Sequence, residues 1–167
     1  MTASPLGTIG RNGGLAEVRF ERSYPRPVET VWAALTDPER LADWMGVARV
    51  EPFVGGQIGL MLDGPFPMTG QVRVWEPPHV LEYSWSNAHA PDSIARYELR
   101  SQDGGTSMIF THKKIPVGSG ALMLPGWHTY FNQLERLLGG EGDGRSWRAL
   151  QAAYVDRYHL HGMTLDP

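Results

Sequence analysis

The hydrophobic positions near the end of the chain follow the period of an α-helix. In the segment 118–138 the apolar residues recur three or four positions apart and form one stripe: Trp127, Tyr130, Phe131, Leu134, Leu137 and Leu138. Pro125 and Gly126 predict a break or a kink near the start of this helix. A curved sheet that covers such a stripe leaves room for a small-molecule cavity between its concave face and the helix.

The middle of the chain alternates between apolar and polar residues, as strands do when one sheet face is buried. An early run predicts a first strand at 15–24, and six later runs predict strands at 47–53, 57–62, 69–76, 80–86, 94–101 and 107–113. In the last three strands, one alternating set is expected to face the long helix: Leu81, Tyr83, Trp85, Ala95, Tyr97, Leu99, Met108, Phe110 and His112. No helical pattern interrupts these runs, so antiparallel pairing of neighbouring strands is predicted.

Two short helices are predicted between the first strand and the others. Pro27 suits the first turn of one helix, and Asp37 followed by Pro38 suits the start of a second, which ends near Trp44. After the long helix, the glycine-rich segment 139–144 predicts a flexible link. Beyond it, a last helix over 146–158 carries its own apolar stripe: Trp147, Leu150, Tyr154 and Tyr158.

The predicted elements fit a single domain. Residues 1–14 have four glycines and no periodicity, so a flexible N-terminus is expected. The domain itself is expected over 15–140. The additional helix, 145–160, is expected to pack either on this domain or on a partner, which makes a homodimer possible.

Composition narrows the possible functions. The 167 residues contain no cysteine, which excludes disulfides, thiolate metal sites and a catalytic thiol and suits a cytoplasmic location. Fifteen basic and eighteen acidic residues give a net charge of −3 without a long basic run, so neither nucleic acid nor an anionic membrane is an expected partner. No apolar stretch approaches the ~20 residues of a membrane span. The 20 glycines and 13 prolines indicate frequent turns and favour a meander of strands.

Six phrases occur in an order that resembles one known family. They are RSYPRPVETVWAALTDPERLADWMG, GGQIGL, GQVRVWEPPHVLEYSW, ARYEL, GGTSMIFTHKKIP and GWHTYFNQLERLLGG. On these phrases the chain resembles the activator of heat-shock-protein ATPase homologue family, within the START and Bet v 1-like superfamily known as SRPBCC. The resemblance covers about residues 15 to 140.

The resemblance implies an α+β helix-grip fold. Two short helices follow its first strand, and a curved, seven-stranded antiparallel sheet holds a long C-terminal helix around a hydrophobic cavity. Members of this superfamily bind lipids, polyketides, hormones or other apolar molecules, a few are cyclases or aromatases, and some assist chaperones. Fold alone does not choose among these activities.

Ten residues are expected to line the cavity: Trp44, Tyr83, Trp85, Tyr97, Phe110, His112, Trp127, Tyr130, Phe131 and Leu134. Core packing is the alternative for each aromatic residue, but so many polar-tipped rings on one side suit a partly polar, ring-containing ligand. His112 corresponds to the histidine of the family's T-x-H phrase. It is a candidate acid or base, and a buried structural histidine is the alternative.

Other polar residues give weaker signals. His128 and Asn132 lie one helical turn apart, and beside Trp127 an outward direction is open to His128. His159 and His161 lie near Asp156, but a frayed tail makes a poor metal site, and neither a metal nor a cofactor is expected. The sequence has no nucleophile elbow and no phosphate-binding loop.

Three functions remain open. The first is a non-enzymatic protein that binds a small hydrophobic or aromatic molecule. The second is an enzyme of the polyketide cyclase or aromatase type, with His112 or a cavity tyrosine as acid or base. The third is a chaperone-linked or stress-related interaction module that uses the last helix.

Overall fold

A computed structural model describes residues 4–62 and 66–160. Two strands and two helices come first: β1 (Thr8–Asn12), β2 (Leu15–Tyr24), α1 (Val28–Thr36) and α2 (Pro38–Trp44). Six strands follow: β3 (Val47–Val50), β4 (Gln57–Leu62), β5 (Phe66–Glu76), β6 (Val80–Trp85), β7 (Ser93–Gln102) and β8 (Gly105–Pro116). The last elements are a single 3₁₀ turn, Val117–Ser119, and two helices: α3 (Gly120–Leu137) and α4 (Trp147–Tyr158).

The strands form one sheet in the order β1-β2-β8-β7-β6-β5-β4-β3, and every neighbouring pair is antiparallel. Strands β3 to β8 run as a meander, and the first hairpin adds to the edge of β8. The long helix α3 contacts β2 and α2, so it packs between the sheet and the second short helix. The predicted α+β helix-grip fold is confirmed.

The sheet has eight strands among the described residues rather than the predicted seven. The additional strand is β1, which lies in the segment for which no regular structure was expected, and it pairs with β2 from Thr8 opposite Arg19 to Asn12 opposite Leu15. Gly13, at a φ of +65°, lies in the turn that joins the two strands. Four of the five residues of β1 are exposed, so the strand carries no alternating apolar signal.

Both short helices begin where the proline positions predict. Pro27 precedes α1, and Pro38 occupies the first turn of α2. The Asp37 carboxylate caps α2 by accepting a hydrogen bond from the backbone N–H of Glu39 at 3.0 Å. The Trp44 indole at the end of α2 donates to the carbonyl of Ala34 at 2.8 Å, which fixes the two helices to each other.

Of the break or kink expected at Pro125 and Gly126, the break is absent, because α3 continues through both residues. Proline has no N–H, so the carbonyl of Ala121, four residues earlier, loses its normal partner. The side-chain amide of Gln151 on α4 donates to that carbonyl at 3.2 Å. A second helix thus supplies a donor to the carbonyl that the proline leaves without one.

The inward-facing set predicted for β6, β7 and β8 is confirmed, since all nine of its residues are buried. Their rings pack directly against α3. The centroids of Phe110 and Trp127 are 4.3 Å apart, and those of Phe110 and Phe131 are 5.1 Å apart with the rings edge to face. Edge-to-face and offset contacts of this kind stabilise a core beyond simple burial.

The last helix packs on its own chain. Leu150 and Tyr154 of α4 are fully buried, and α4 contacts α3 along its length. The Tyr154 hydroxyl accepts a hydrogen bond from the backbone N–H of Gly7 at 2.8 Å, and the Tyr158 hydroxyl donates to the Gly7 carbonyl at 2.6 Å. Of the two partners considered for this apolar stripe, the domain itself therefore covers Leu150 and Tyr154, the residues through which a homodimer was considered possible.

Candidate functional site

A pocket of about 220 Å³ lies beside the N-terminal half of α3. Its other walls are the last residues of β4 and β6, the loop after β6, and the start of α4. The lining residues are Leu62, Trp85, Asn87, His89, Leu122, Met123, Gly126, Trp127, Tyr130 and Trp147. Trp147 is 37% exposed, so the pocket meets solvent at this residue.

Two indole rings form the inner wall of the pocket. Trp85 ends β6 and Trp127 lies on α3, and their centroids are 5.1 Å apart. Tyr130 lies one helical turn from Trp127, at a centroid distance of 6.1 Å. The Trp85 N–H is buried and has no hydrogen-bond partner within residues 4–62 and 66–160. A buried indole donor normally finds an acceptor, so this N–H is an unsatisfied polar group on a residue that lines the pocket.

His112 lies behind this wall and holds the Trp127 ring. The Trp127 N–H donates to Nδ1 of His112 at 3.0 Å, and the Nε2 of His112 lies 2.7 Å from the hydroxyl of Ser93. Because Nδ1 accepts, the neutral imidazole carries its hydrogen on Nε2 and donates it to Ser93. Complete burial lowers the pKa of His112 to about 3, so the ring is neutral near pH 7.

Hydrogen bonds of Ser93 and Asn87 fix the loop after β6. The sequence analysis assigned no role to either side chain. Ser93 Oγ lies 2.9 Å from two carbonyl oxygens, those of Trp85 and Ala90, and donates its single hydrogen to one of them. The Asn87 side chain accepts from the backbone N–H groups of His89 and Ala90. These hydrogen bonds hold the loop in place beside the pocket.

Three of the ten residues predicted to line a cavity do line this pocket, namely Trp85, Trp127 and Tyr130. The other seven are fully buried in the core: Trp44, Tyr83, Tyr97, Phe110, His112, Phe131 and Leu134. The Tyr83 and Tyr97 hydroxyls lie 3.2 Å apart and satisfy each other, and burial raises the pKa of both. The central space in which a cavity was expected is filled by these rings, and the pocket lies at one end of it.

Comparison with known families identifies the chain. A family model described as "Activator of Hsp90 ATPase homolog 1-like protein" matches residues 25–139, which is more than half of the sequence. The chain belongs to this family. Strand β2 and helix α4, which supplies Trp147 to the pocket, lie outside the matched region. No curated protein matches the sequence of this family member.

Solved structures share the fold of this family member. CalU16 from Micromonospora echinospora aligns at a TM-score of 0.75 and 22% identity, over 92% of this chain and 95% of the other. MLL2253 from Mesorhizobium loti aligns at 0.65 and 28% identity, over 73% and 96%. PFC0360w from Plasmodium falciparum, an HSP90 activator, aligns at 0.65 and 23% identity, over 74% and 96%.

A second polar network in this family member ties three distant segments together. His128 and Asn132 on α3 are buried, so the outward direction considered for His128 is wrong. His128 Nε2 lies 2.7 Å from a carboxylate oxygen of Asp143, and its Nδ1 lies 2.7 Å from the Tyr154 hydroxyl. Arg145 also binds the Asp143 carboxylate at 3.0 Å. Asp143 was assigned to a flexible link, and its short contacts fix that link to the helix.

Burial controls the protonation of this network. It lowers the pKa of His128 to about 4, although the neighbouring Asp143 carboxylate opposes the effect. Hydrogen bonds from Arg145 and His128 hold the pKa of Asp143 well below its usual value, against the effect of burial. A neutral His128 donates from Nε2 to Asp143 and accepts the Tyr154 hydrogen at Nδ1. Both ring nitrogens are therefore satisfied without a charge.

The structure does not bring the candidate metal ligands near the end of the chain together into a metal site. His159 ends α4 in a left-handed conformation, and His161 lies outside the described residues. Within residues 4–62 and 66–160, no three His, Asp or Glu side chains form a group that could hold a metal ion. Over the same residues, no helix is long and apolar enough to cross a bilayer.

Proposed function

We propose that this protein binds a small, ring-containing apolar molecule in the pocket beside α3. The observation that carries the proposal is the Trp85 N–H, a buried donor without a partner among the described residues, on a pocket wall that is mostly aromatic and aliphatic. Binding sites for small molecules are typically apolar and have a few polar groups that orient the ligand. The proposed ligand therefore has a flat apolar body and one hydrogen-bond acceptor.

The size of the pocket limits the size of the ligand. Its volume of about 220 Å³ is below the roughly 300–1,000 Å³ of sites that hold drug-sized molecules. It is above the roughly 150 Å³ of an engineered apolar cavity that admits benzene. A ligand of one or two fused rings fits this range, whereas a lipid chain or a long polyketide exceeds it.

The walls of the pocket are held before a ligand arrives. His112 fixes the Trp127 ring from behind, and Ser93 connects His112 to the loop beside the pocket. Side chains that are fixed in advance lose little conformational entropy on binding, and this supports affinity in a small site. His112 is in this proposal a positioning residue rather than a ligand contact.

We propose that binding is not coupled to acid–base chemistry at His112. Both ring nitrogens are engaged inside the protein, the ring is fully buried, and its pKa is far below neutral. A general acid or base needs contact with substrate and a pKa near the working pH.

The buried stripe of α4 gives no support to docking of a partner through Leu150 and Tyr154. A cytoplasmic location stays a proposal, which the absence of cysteine supports.

Matched pairs of ligands test the proposal. Quinoline and naphthalene have the same shape and differ by one acceptor nitrogen; 1-indanone and indane differ by one carbonyl oxygen. We expect calorimetric titration to show tighter binding of the acceptor in each pair, by about twofold to tenfold for one hydrogen bond. In Trp85→Phe this preference should disappear while the hydrocarbons still bind.

Gly126 provides a blocking variant and its control. A Cβ at this position meets no atom within 4 Å, and the residue lines the pocket, so a leucine side chain begins in open space and is expected to occupy the pocket. Gly126→Leu should abolish binding without loss of thermal stability, because leucine favours a helix more than glycine does. Gly126→Ala should keep binding. Failure of all four compounds to bind the native protein, or undiminished binding to Gly126→Leu, would contradict the proposal.

A further inference from the structure

The outer face of the sheet has a trough of about 450 Å³ where β1, β2 and β8 run side by side. Four cationic side chains are among the residues that line it: Arg11, Arg19, Lys113 and Lys114. The two lysines are the only lysines in the sequence, and both are exposed. We call this feature the lysine trough. It faces away from the core, since His112, directly before the lysines, is fully buried.

A β-bulge brings both lysines to the same face of the sheet. In a regular strand, Lys114 would point to the same side as the buried His112. The pairing of β2 with β8 instead shifts its register directly after Ala16, so that both lysines lie opposite a single residue, Glu17. Lys114 has a left-handed φ of +61°. This conformation is uncommon for a residue with a long side chain, and such positions cluster at functional sites.

The lysine trough carries an excess of positive charge. Within residues 4–62 and 66–160, neither lysine ammonium group has a hydrogen bond or an ion pair. Glu17 also lines the trough, and Arg19 is paired with Glu21 at 2.7 Å. Among the described residues, four cations therefore meet two carboxylates, which leaves two positive charges in a chain whose net charge is −3. Two neighbouring ammonium groups repel each other unless an anion lies between them.

The trough has room for a ligand. Gly10 on β1 lines it opposite Glu17, and a Cβ at this glycine would meet no atom within 4 Å. Leu15 lines it as well and is 45% exposed, which gives the trough an apolar contact surface. Its volume lies within the roughly 300–1,000 Å³ of sites that hold small molecules.

We propose that the lysine trough binds a small phosphomonoester whose apolar part rests on Leu15. At pH 7 a phosphomonoester carries a charge of about −1.5 to −2 and three acceptor oxygens, which matches an excess of two positive charges. Lysine is a common phosphate ligand, and its ammonium group offers three donors. The trough shares no lining residue with the aromatic pocket, so the proposal does not depend on what that pocket binds.

Reductive methylation with ¹³C-formaldehyde provides a direct readout, because it labels only Lys113, Lys114 and the α-amino group and keeps their positive charge. We expect phenyl phosphate, titrated at pH 7.5 and constant ionic strength, to shift both lysine signals with one dissociation constant. Phenyl sulfate has the same ring and a single charge. It should bind about fivefold more weakly, the effect of one unit charge at about 4 Å in water.

Three substitutions locate the site, and one is a control. Lys114→Gly removes an ammonium group and suits the left-handed φ, so it should weaken phenyl phosphate binding by about fivefold without loss of thermal stability. Lys113→Gln should weaken it similarly. Leu15→Ser should weaken binding of phenyl phosphate but not of methyl phosphate, which has no ring. Arg49→Gln removes the same charge from an exposed position on β3, at the other edge of the sheet, and should change nothing.

Three results would overturn the proposal. The first is the absence of a saturable shift in either lysine signal, and the second is equal affinity for phenyl phosphate and phenyl sulfate. The third is a loss of affinity in Arg49→Gln as large as in the lysine variants, which would reflect overall charge rather than a site. Sedimentation of the protein with phosphatidic acid vesicles, without saturable binding of phenyl phosphate, would assign the lysines to a membrane surface instead.

Discussion

Mild acid should destabilise this protein through two buried histidines. His112 and His128 are neutral in the folded state because burial lowers their pKa values to about 3 and about 4, from an ordinary value of 6.5. The unfolded chain therefore takes up two protons that the folded chain does not bind. A lowered histidine pKa gives stability that is complete above about pH 6.5 and is lost progressively as the pH falls towards the folded value.

The size of the effect follows from the difference between these pKa values. One pKa unit is worth about 1.4 kcal/mol. At pH 5 the unfolded histidines are about 1.5 units below their pKa, whereas the folded ones remain largely neutral. Each histidine should thus lower the free energy of unfolding by about 2 kcal/mol between pH 7 and pH 5, and the pair by about 4 kcal/mol. Asp143 does not contribute in this window, since its stabilising effect is lost only below pH 3.8.

Urea unfolding, followed by tryptophan fluorescence at constant ionic strength, measures this dependence between pH 5 and pH 7.5. Below pH 6 the slope should approach about 2.7 kcal/mol per pH unit, which corresponds to two protons. His112→Asn keeps an acceptor for the Trp127 N–H and should halve the slope, and His128→Asn should do the same. A native slope near zero, or a slope that neither substitution changes, would refute the assignment of neutral buried histidines.

Two further substitutions test the contacts that α4 makes. Gln151→Ala leaves the carbonyl of Ala121 without the donor that replaces the missing proline N–H, so the free energy of unfolding should fall by about 1 kcal/mol in urea unfolding. An unchanged value would show that the bond is not formed in solution. Tyr154→Phe removes the acceptor of the Gly7 N–H and the donor to His128, and should cost about 1–3 kcal/mol. Hydrogen exchange at Gly7 should then accelerate, and unchanged protection there would contradict the role of this hydroxyl.

The pattern of apolar positions predicts most of the architecture because burial dictates it directly. Alternation placed Tyr83, Tyr97 and Phe110 on the inner face of the sheet, and the structure confirms this. Pro27, Asp37 and Pro38 predicted where the two short helices begin. The fixed φ of proline and the capping carboxylate of Asp37 act within the helix end itself and need no contact with other elements. Strand β1 was not predicted, because its mostly exposed residues have no alternation of apolar and polar positions. It is a strand because it pairs with β2 through backbone hydrogen bonds, which the sequence pattern does not reveal.

The candidate site was predicted less well, because the periodicity of apolar residues shows only which positions face inwards. An inward-facing position can fill a cavity or line one, and the choice depends on the side chains that meet it from other elements. Trp85 and Trp127 line the pocket, whereas Phe110 on the same face packs against Trp127 at 4.3 Å. Ser93 gave no signal either, because its role depends on His112, which lies nineteen residues away in sequence.

One feature of the sequence does account for the place of the pocket. Leu122, Met123, Gly126, Trp127 and Tyr130 form a continuous row on α3, and all five line the pocket. Glycine interrupts this row where any other residue would project a side chain, and nothing lies within 4 Å of a Cβ there. The C-terminal half of α3 has no such gap, and Phe131 and Leu134 fill the space between helix and sheet. In this chain, Gly126 is therefore a better sequence indicator of the open pocket than the number of inward-facing aromatic residues.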